Sequence, residues 1–215
     1  MLNDLIELLF SGGSTSRRAR RVIEQGERLT ARVDAIRVKD RADSPDQWEY
    51  GLRIGTARIG VRQWLQPEPH RAHLGAEVVL RRLGDKALID WPATLAAVGS
   101  NAEGADHHAA GGWKTLREPP APGIADGRLN AAAKKIARGR PTTATLGSAE
   151  RDGGWTGLLD RWQIALTADG RDLTVAERVP AYAIHLLEPG RALPAAWDSD
   201  RLLIDWPRAA EEAAA

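Results

Sequence analysis

The chain reads as a mainly β protein with short helices. It predicts two tandem small five-stranded antiparallel barrels of the OB or SH3-like kind, each preceded by a short helix. Three observations carry this. The sequence repeats itself at an offset of 113 to 115 residues. Apolar residues alternate with polar ones in a series of short runs, the period of half-wet antiparallel strands. A helix-length stretch closed by glycine precedes each set of runs.

The repeat is anchored by Leu88-Ile89-Asp90-Trp91-Pro92, which returns as Leu203-Ile204-Asp205-Trp206-Pro207. Carried upstream at the same offset, His70, Gly75, Val78 and Asp85 fall on His185, Gly190, Leu193 and Asp200. Asp46, Trp48 and Leu52 match Asp160, Trp162 and Leu166 at offset 114, and Ile23, Gly26, Thr30 and Ala31 match Ile136, Gly139, Thr143 and Ala144 at offset 113. Collinear matches at three places, drifting by two residues, describe a tandem duplication with two single-residue gaps. The expected layout is a short amphipathic helix over 1–13 and a first unit over 14–93. A flexible Gly/Ala/Pro linker over 94–127, a second unit over 128–208 and a frayed tail over 209–215 complete it.

Within the first unit, Ser14-Thr15-Ser16 suits an N-cap, Arg17 to Gln25 the helix, and Gly26 its left-handed end. Alternation then sets in at Leu29, Ala31 and Val33, at Trp48, Tyr50, Leu52 and Ile54, and at Ala57, Ile59 and Val61. Val78 with Leu80, and Ala87, Ile89 and Trp91, give the fourth and fifth strands. The second unit repeats the plan with a helix over Ala131 to Arg138, closed by Gly139. Its strands are centred on Ala144, Ile164, Leu173, Leu193 and Ile204. Five short strands in about 65 residues are too few for two packed sheets, so a small curled barrel follows, and a domain that small buries only about 60% of its unfolded surface. The helix is expected to cap an open barrel end through Val22 and Ile23, each unit folding around its own core. In the repeated pentapeptide the tryptophan is expected to close the barrel, the aspartate to face water and the proline to end the strand.

Composition removes several classes of function. With no cysteine among 215 residues, disulfides, thiolate metal sites and cysteine nucleophiles are excluded. Thirty basic against 29 acidic residues leave a net charge of +1, which gives no bulk attraction to nucleic acid or membrane. No run of about 18 apolar residues occurs. There is no nucleophile elbow, phosphate loop, dinucleotide fingerprint or zincin motif. No cofactor and no metal site are expected. His107-His108 lacks further ligands, and Glu68, His70 and His73, echoed by His185 and Glu188, read as a solvated turn.

Four arginines, Arg17, Arg18, Arg20 and Arg21, make a dense positive helix end and are the phosphate-binding candidates. Trp64 and Trp197, read as exposed, and Trp113, alone in the linker, are the partner-binding candidates. Residues 1–10 place Leu2, Leu5, Ile6, Leu9 and Phe10 at helical spacing and call for a docking surface.

The segments Leu9 to Gly13, Arg17 to Ala31, Ala131 to Ala144, Glu188-Pro189-Gly190 and the two Ile-Asp-Trp strand ends resemble actinobacterial-type proteins with tandem small β domains. The resemblance implies the two-unit layout and a soluble bacterial setting, and carries over no site residue. The expected function is a non-enzymatic, cytoplasmic protein-binding or scaffolding protein, engaging a protein partner or itself. The alternatives are nucleic-acid binding through OB-like units and the Arg17–Arg21 helix, and membrane apposition through residues 1–10. An enzyme would need a pocket between the two units.

Overall fold

The computed structural model describes residues 13–38, 47–64, 73–99, 113–152 and 160–215. Helix α1 (Gly13–Gln25) leads into β1 (Glu27–Val38), β2 (Gln47–Ile54), β3 (Ala57–Trp64), β4 (Glu77–Leu83) and β5 (Lys86–Ile89). Helix α2 (Trp91–Ala97) and the short strands β6 (Lys114–Leu116) and β7 (Gly123–Asp126) follow. Helix α3 (Asn130–Arg138) opens the second half, with β8 (Arg140–Arg151), β9 (Asp160–Ala168), β10 (Arg171–Val179), β11 (Ala192–Asp198), β12 (Arg201–Ile204) and α4 (Trp206–Ala214). Short 3-10 segments occupy Gly127–Leu129 and Ala181–Leu186. The fold is mainly β, in two sheets that each curl towards a barrel.

The two sheets share one plan. Strand order is β5-β4-β1-β2-β3-β6 in the first and β10-β9-β8-β11-β12 in the second. Ala31 faces Val78 and Ala144 faces Leu193; Trp48 faces Gln63 and Trp162 faces Glu177; Leu80 faces Ile89 and Ala195 faces Ile204. Even the irregularity recurs, since β1 shifts register between Val33 and Ala35 and β8 between Leu146 and Ser148. These pairings follow the sequence offsets residue for residue. The glycines that close the helices are not the left-handed residues expected, Gly139 being extended at φ −72°, and are needed for close approach instead: a Cβ on Gly26 would meet Val22 O at 2.2 Å, and one on Gly139 would meet Trp197 O at 2.7 Å.

The structure departs from the sequence reading in four places. First, the expected linker is not free chain where it is described. Residues 114–116 add to β3 as an antiparallel strand, and residues 123–126 pair with the second half of β1 in parallel, so the first sheet has seven strands. The long β1 bends at its bulge, gives its first half to β4, and leaves its second half open for β7. Second, the repeated pentapeptide turns into a helix. Asp90 accepts from Ala93 N (3.1 Å) and Asp205 from Arg208 N (3.3 Å), each as an N-cap with proline in the first turn. Asp90 is 3% exposed and also pairs with Arg81 at 3.0 Å, so it does not face water. Third, the tail is the helix α4, which buries Ala209 and Ala210.

Fourth, the two units do not keep separate cores. One apolar cluster runs from Trp48, Tyr50 and Trp91 to Tyr182, Leu186 and Trp206. Trp48 meets Tyr182 edge-on at 5.9 Å, and Tyr50 meets Trp91 the same way at 5.9 Å. Arg128 lies 5.6 Å over the Trp48 ring while its guanidinium clasps the buried Asp126 at 2.9 and 2.6 Å. From α4, Glu211 accepts from Ile124 N at 2.8 Å, and Ala214 O accepts from Arg32 at 3.3 Å. Helix α1 does not cap a barrel end as expected: Val22 packs with Ala19 and Leu88 in a small cluster apart from the shared core, with Ile23 beside it.

Candidate functional site

A curled sheet of five strands leaves a seam between its first and last edges. In the first barrel that seam, between β3 and β5, is closed. The Gln63 amide donates to Ile89 O at 2.8 Å and accepts from Ile89 N at 2.9 Å, standing in for a pair of ladder bonds. Strand β6 then lies beside β3, with Lys114, Thr115 and Leu116 opposite Arg62, Val61 and Gly60. The Thr115 hydroxyl accepts from Ala87 N (2.8 Å) and donates to Ala87 O (3.1 Å). Just before β6, Trp113 packs against Ala19, Val22 and Leu88 between α1 and β5. The exit from β6 is pinned as well. Arg58 donates to Pro120 O at 2.8 Å while holding Asp34 at 2.7 and 2.8 Å. Burial raises the Asp34 carboxyl, but the hydrogen bonds and charges of Arg58 and Arg53 outweigh it and bring it below the usual carboxylate range.

In the second barrel the matching positions are built differently. Glu177 stands where Gln63 does, and a carboxylate has no N–H to donate to Ile204 O. It accepts instead from Trp206 Nε1 at 2.8 Å, whereas Trp91, engaged by no such acid, keeps a buried indole N–H without a partner. Burial pushes the Glu177 carboxyl above its usual range, against that hydrogen bond and the charge of Arg201. Asp34 is replaced by Gly147 and Gly60 by Thr174. Among the described residues no strand pairs with the outer edge of β10. What remains is a cavity of about 410 Å³ between α3, β10, β12 and the start of α4. Its apolar wall is Ala132, Ile136 and Leu203, and Arg161, Arg178 and Arg201 stand among its polar lining.

The residues singled out from sequence fall as follows. Trp197 is not an exposed aromatic. It is 6% exposed, its Nε1 donates to Asp169 at 2.9 Å, and Arg171 lies 5.9 Å over its ring. It shares the parity of Leu193 and Ala195 and lies with them on the inner face of β11, at the barrel end that the β9–β10 hairpin covers. That hairpin turns through Asp169 and Gly170, both left-handed, at φ 50° and 72°. Trp64 ends β3, and its side chain lies outside the described residues. Trp113 is half-buried on its own unit, so it is an internal anchor of the first barrel. Arg17, Arg18, Arg20 and Arg21 are exposed on α1. Arg18 and Arg21, with Lys86 and Lys114, surround a 420 Å³ depression floored by Val22, Leu83 and Trp113.

His73 and His185 stack at 4.0 Å where the two units meet. Burial, then the neighbouring charges of His73 and Arg191, bring His185 down to about 4. Glu68, His70, His107-His108 and residues 1–10 lie outside the described residues. No helix among the described residues is long and apolar enough to cross a membrane.

The seam that no described strand fills was missed from sequence because its signal is a difference between the copies. Gln63 against Glu177, and Gly60 against Thr174, are legible only once the seam is known to exist. Comparison with protein-family models, curated proteins and solved structures gives no match for the chain. None of the three supports the resemblance to actinobacterial-type proteins, and the chain is a β-rich fold of two barrel-like domains.

Proposed function

We propose that the chain is a non-enzymatic protein-binding module whose second barrel receives an extended segment of a protein partner in the seam between β10 and β12. One observation carries the reading. The same seam in the first barrel is occupied by a strand, β6, held through Thr115 and led in by Trp113. Its counterpart is a 410 Å³ cavity with an apolar wall and an unpaired strand edge among the described residues. Strand addition supplies backbone hydrogen bonds for affinity and a side-chain pocket for selectivity. The test is selection of random peptides displayed against the full chain, counter-screened on Ala132→Trp, which fills the cavity. Binders that lose affinity on the filled variant support the reading. Binders that are all indifferent to it sink the reading.

A second reading rests on the basic depression of the first barrel. Arg18, Arg21, Lys86 and Lys114 around Trp113 combine cations with an aromatic floor, as phosphate-backbone binders do. Lys86 is already paired with Asp85 at 2.8 Å, and the whole chain is near neutral, which favours the first reading. Titration with a single-stranded oligonucleotide at about 50 mM salt decides this one, because that regime exaggerates phosphate contacts.

A further inference from the structure

The two barrels align position for position, so the occupant of the first seam, adjusted for the residues that differ, specifies what the second accepts. Resting on the protein-binding reading above, we infer that the partner segment runs antiparallel to β10 and carries the pattern acidic, aromatic, any residue, threonine or serine, small.

Each position follows from a counterpart. Trp113 covers Ala19, Val22 and Leu88 in the first barrel. Ala132 and Leu203 replace Ala19 and Leu88 and Ile136 replaces Ile23, while Val22 gives way to Lys135, which is drawn to Asp198 at 3.3 Å, so the apolar wall that an indole covers is retained in the main. That sets an aromatic anchor. Two residues on, the Thr115 hydroxyl satisfies both backbone groups of Ala87. Leu202 stands in place of Ala87, paired to Trp197 on its inner side as Ala87 is to Arg82. Its outward N–H and C=O have no described partner, and one hydroxyl, donating and accepting at once, answers both.

The next position separates this ligand from β6 itself. Leu116 sits opposite Gly60, so close that a Cβ there would come within 2.9 Å of the Leu116 Cβ. Thr174 takes the place of Gly60, so the residue opposite must be small. The position before the aromatic is set by charge. Continuing the β6 register, that residue falls opposite Arg178, which lines the cavity and has no carboxylate partner among the described residues. Arg161 is already paired with Asp152 at 3.3 Å, and the charge of Arg201 reaches Glu177. Arg178 is therefore the cation left to select an acid.

The test uses the full chain and a synthetic peptide, acetyl-Gly-Gly-Glu-Trp-Gln-Thr-Ala-Gly-amide, titrated by calorimetry. Threonine to valine in the peptide is expected to weaken binding about five- to tenfold. Tryptophan to alanine is expected to abolish measurable binding, and hydrogen exchange at the Leu202 amide should slow in the complex. Because Ala132→Trp could disturb folding, a second variant on the exposed rim is paired with it. Arg178→Glu should weaken the glutamate peptide and strengthen one with lysine in its place. Binding indifferent to both protein variants overturns the inference. So does protection of the Leu202 amide in the chain alone at every concentration, since the seam is then filled from within. If selected peptides bind in the seam yet lack the pattern and are not displaced by this one, the pattern falls and the protein-binding reading survives. If no peptide of any sequence binds in a seam-dependent way, both fall.

Discussion

Gln63 holds Ile89 by both of its backbone groups, at 2.8 and 2.9 Å, from a strand that does not pair with it. The amide does what a neighbouring strand would do, and it is 1% exposed, so no water competes for the bonds. Gln63→Leu keeps the volume and leaves the Ile89 N–H and C=O buried and unpaired. The expected loss is about 2–4 kcal/mol, the cost of orphaning two buried groups. Chemical denaturation reads it, and exchange of the Ile89 amide should accelerate along with it.

Closure of the first seam also depends on a missing side chain. A Cβ on Gly60 would meet Pro119 Cα at 2.8 Å and Leu116 Cβ at 2.9 Å, both part of the closing segment. Gly60→Val is expected to lift β6 off β3, cost about 1–3 kcal/mol by overpacking, and open the chain around 113–120 to protease. At the equivalent place Thr174 is exposed, and Thr174→Val should change stability by less than about 0.5 kcal/mol. Equal effects at the two positions would mean that the seams are filled alike.

Trp48 belongs to the first sheet and packs edge-on against Tyr182 of the second half, with Arg128 above it. It is 1% exposed. Trp48→Ala should cost about 3–5 kcal/mol and lower one shared unfolding transition. Two separate calorimetric transitions, only one of them moved, would show that the units fold alone.

Much of this fold was legible in the sequence, and the parts that were not have physical reasons. Alternation at Trp48, Tyr50 and Leu52, and the glycines Gly26 and Gly139, gave strands and helix ends because each reports a local constraint. The helices α2 and α4 were also written there: an aspartate two residues before a proline is an N-cap with proline in the first turn. That signal was masked by the strand period running up to Trp91. Strands β6 and β7 are short and carry little periodicity, so only their partners, β3 and β1, define them. Trp197 shows the limit of period two. Alternation puts it on the core face with Leu193 and Ala195, and reading it as exposed took the strand's end for wet surface, where Asp169 and Arg171, brought over by a hairpin, cover the ring. Trp197→Ala is accordingly expected to cost about 3–5 kcal/mol of stability.

The His73–His185 stack makes the contact between the units sensitive to acid. His185 is lowered to about 4 from 6.5, first by burial and then by the charges of His73 and Arg191, with a Tyr182 backbone hydrogen bond and Glu188 acting the other way. A base whose folded value is depressed takes up its proton in the unfolded chain first. Its contribution is therefore fully present above about pH 6.5, and it is lost as pH falls towards 4. Allowing for the solvent that reaches a half-buried ring, the loss is about 1–2 kcal/mol. Glu177 responds oppositely, because its carboxyl is raised and its protonation on acidification favours the fold. The comparison must therefore be between variants. His185→Phe keeps the stack and removes the proton site, so stability measured from pH 7 to pH 4 should fall less steeply than in the parent chain. Parallel slopes for the two proteins would assign the acid sensitivity elsewhere.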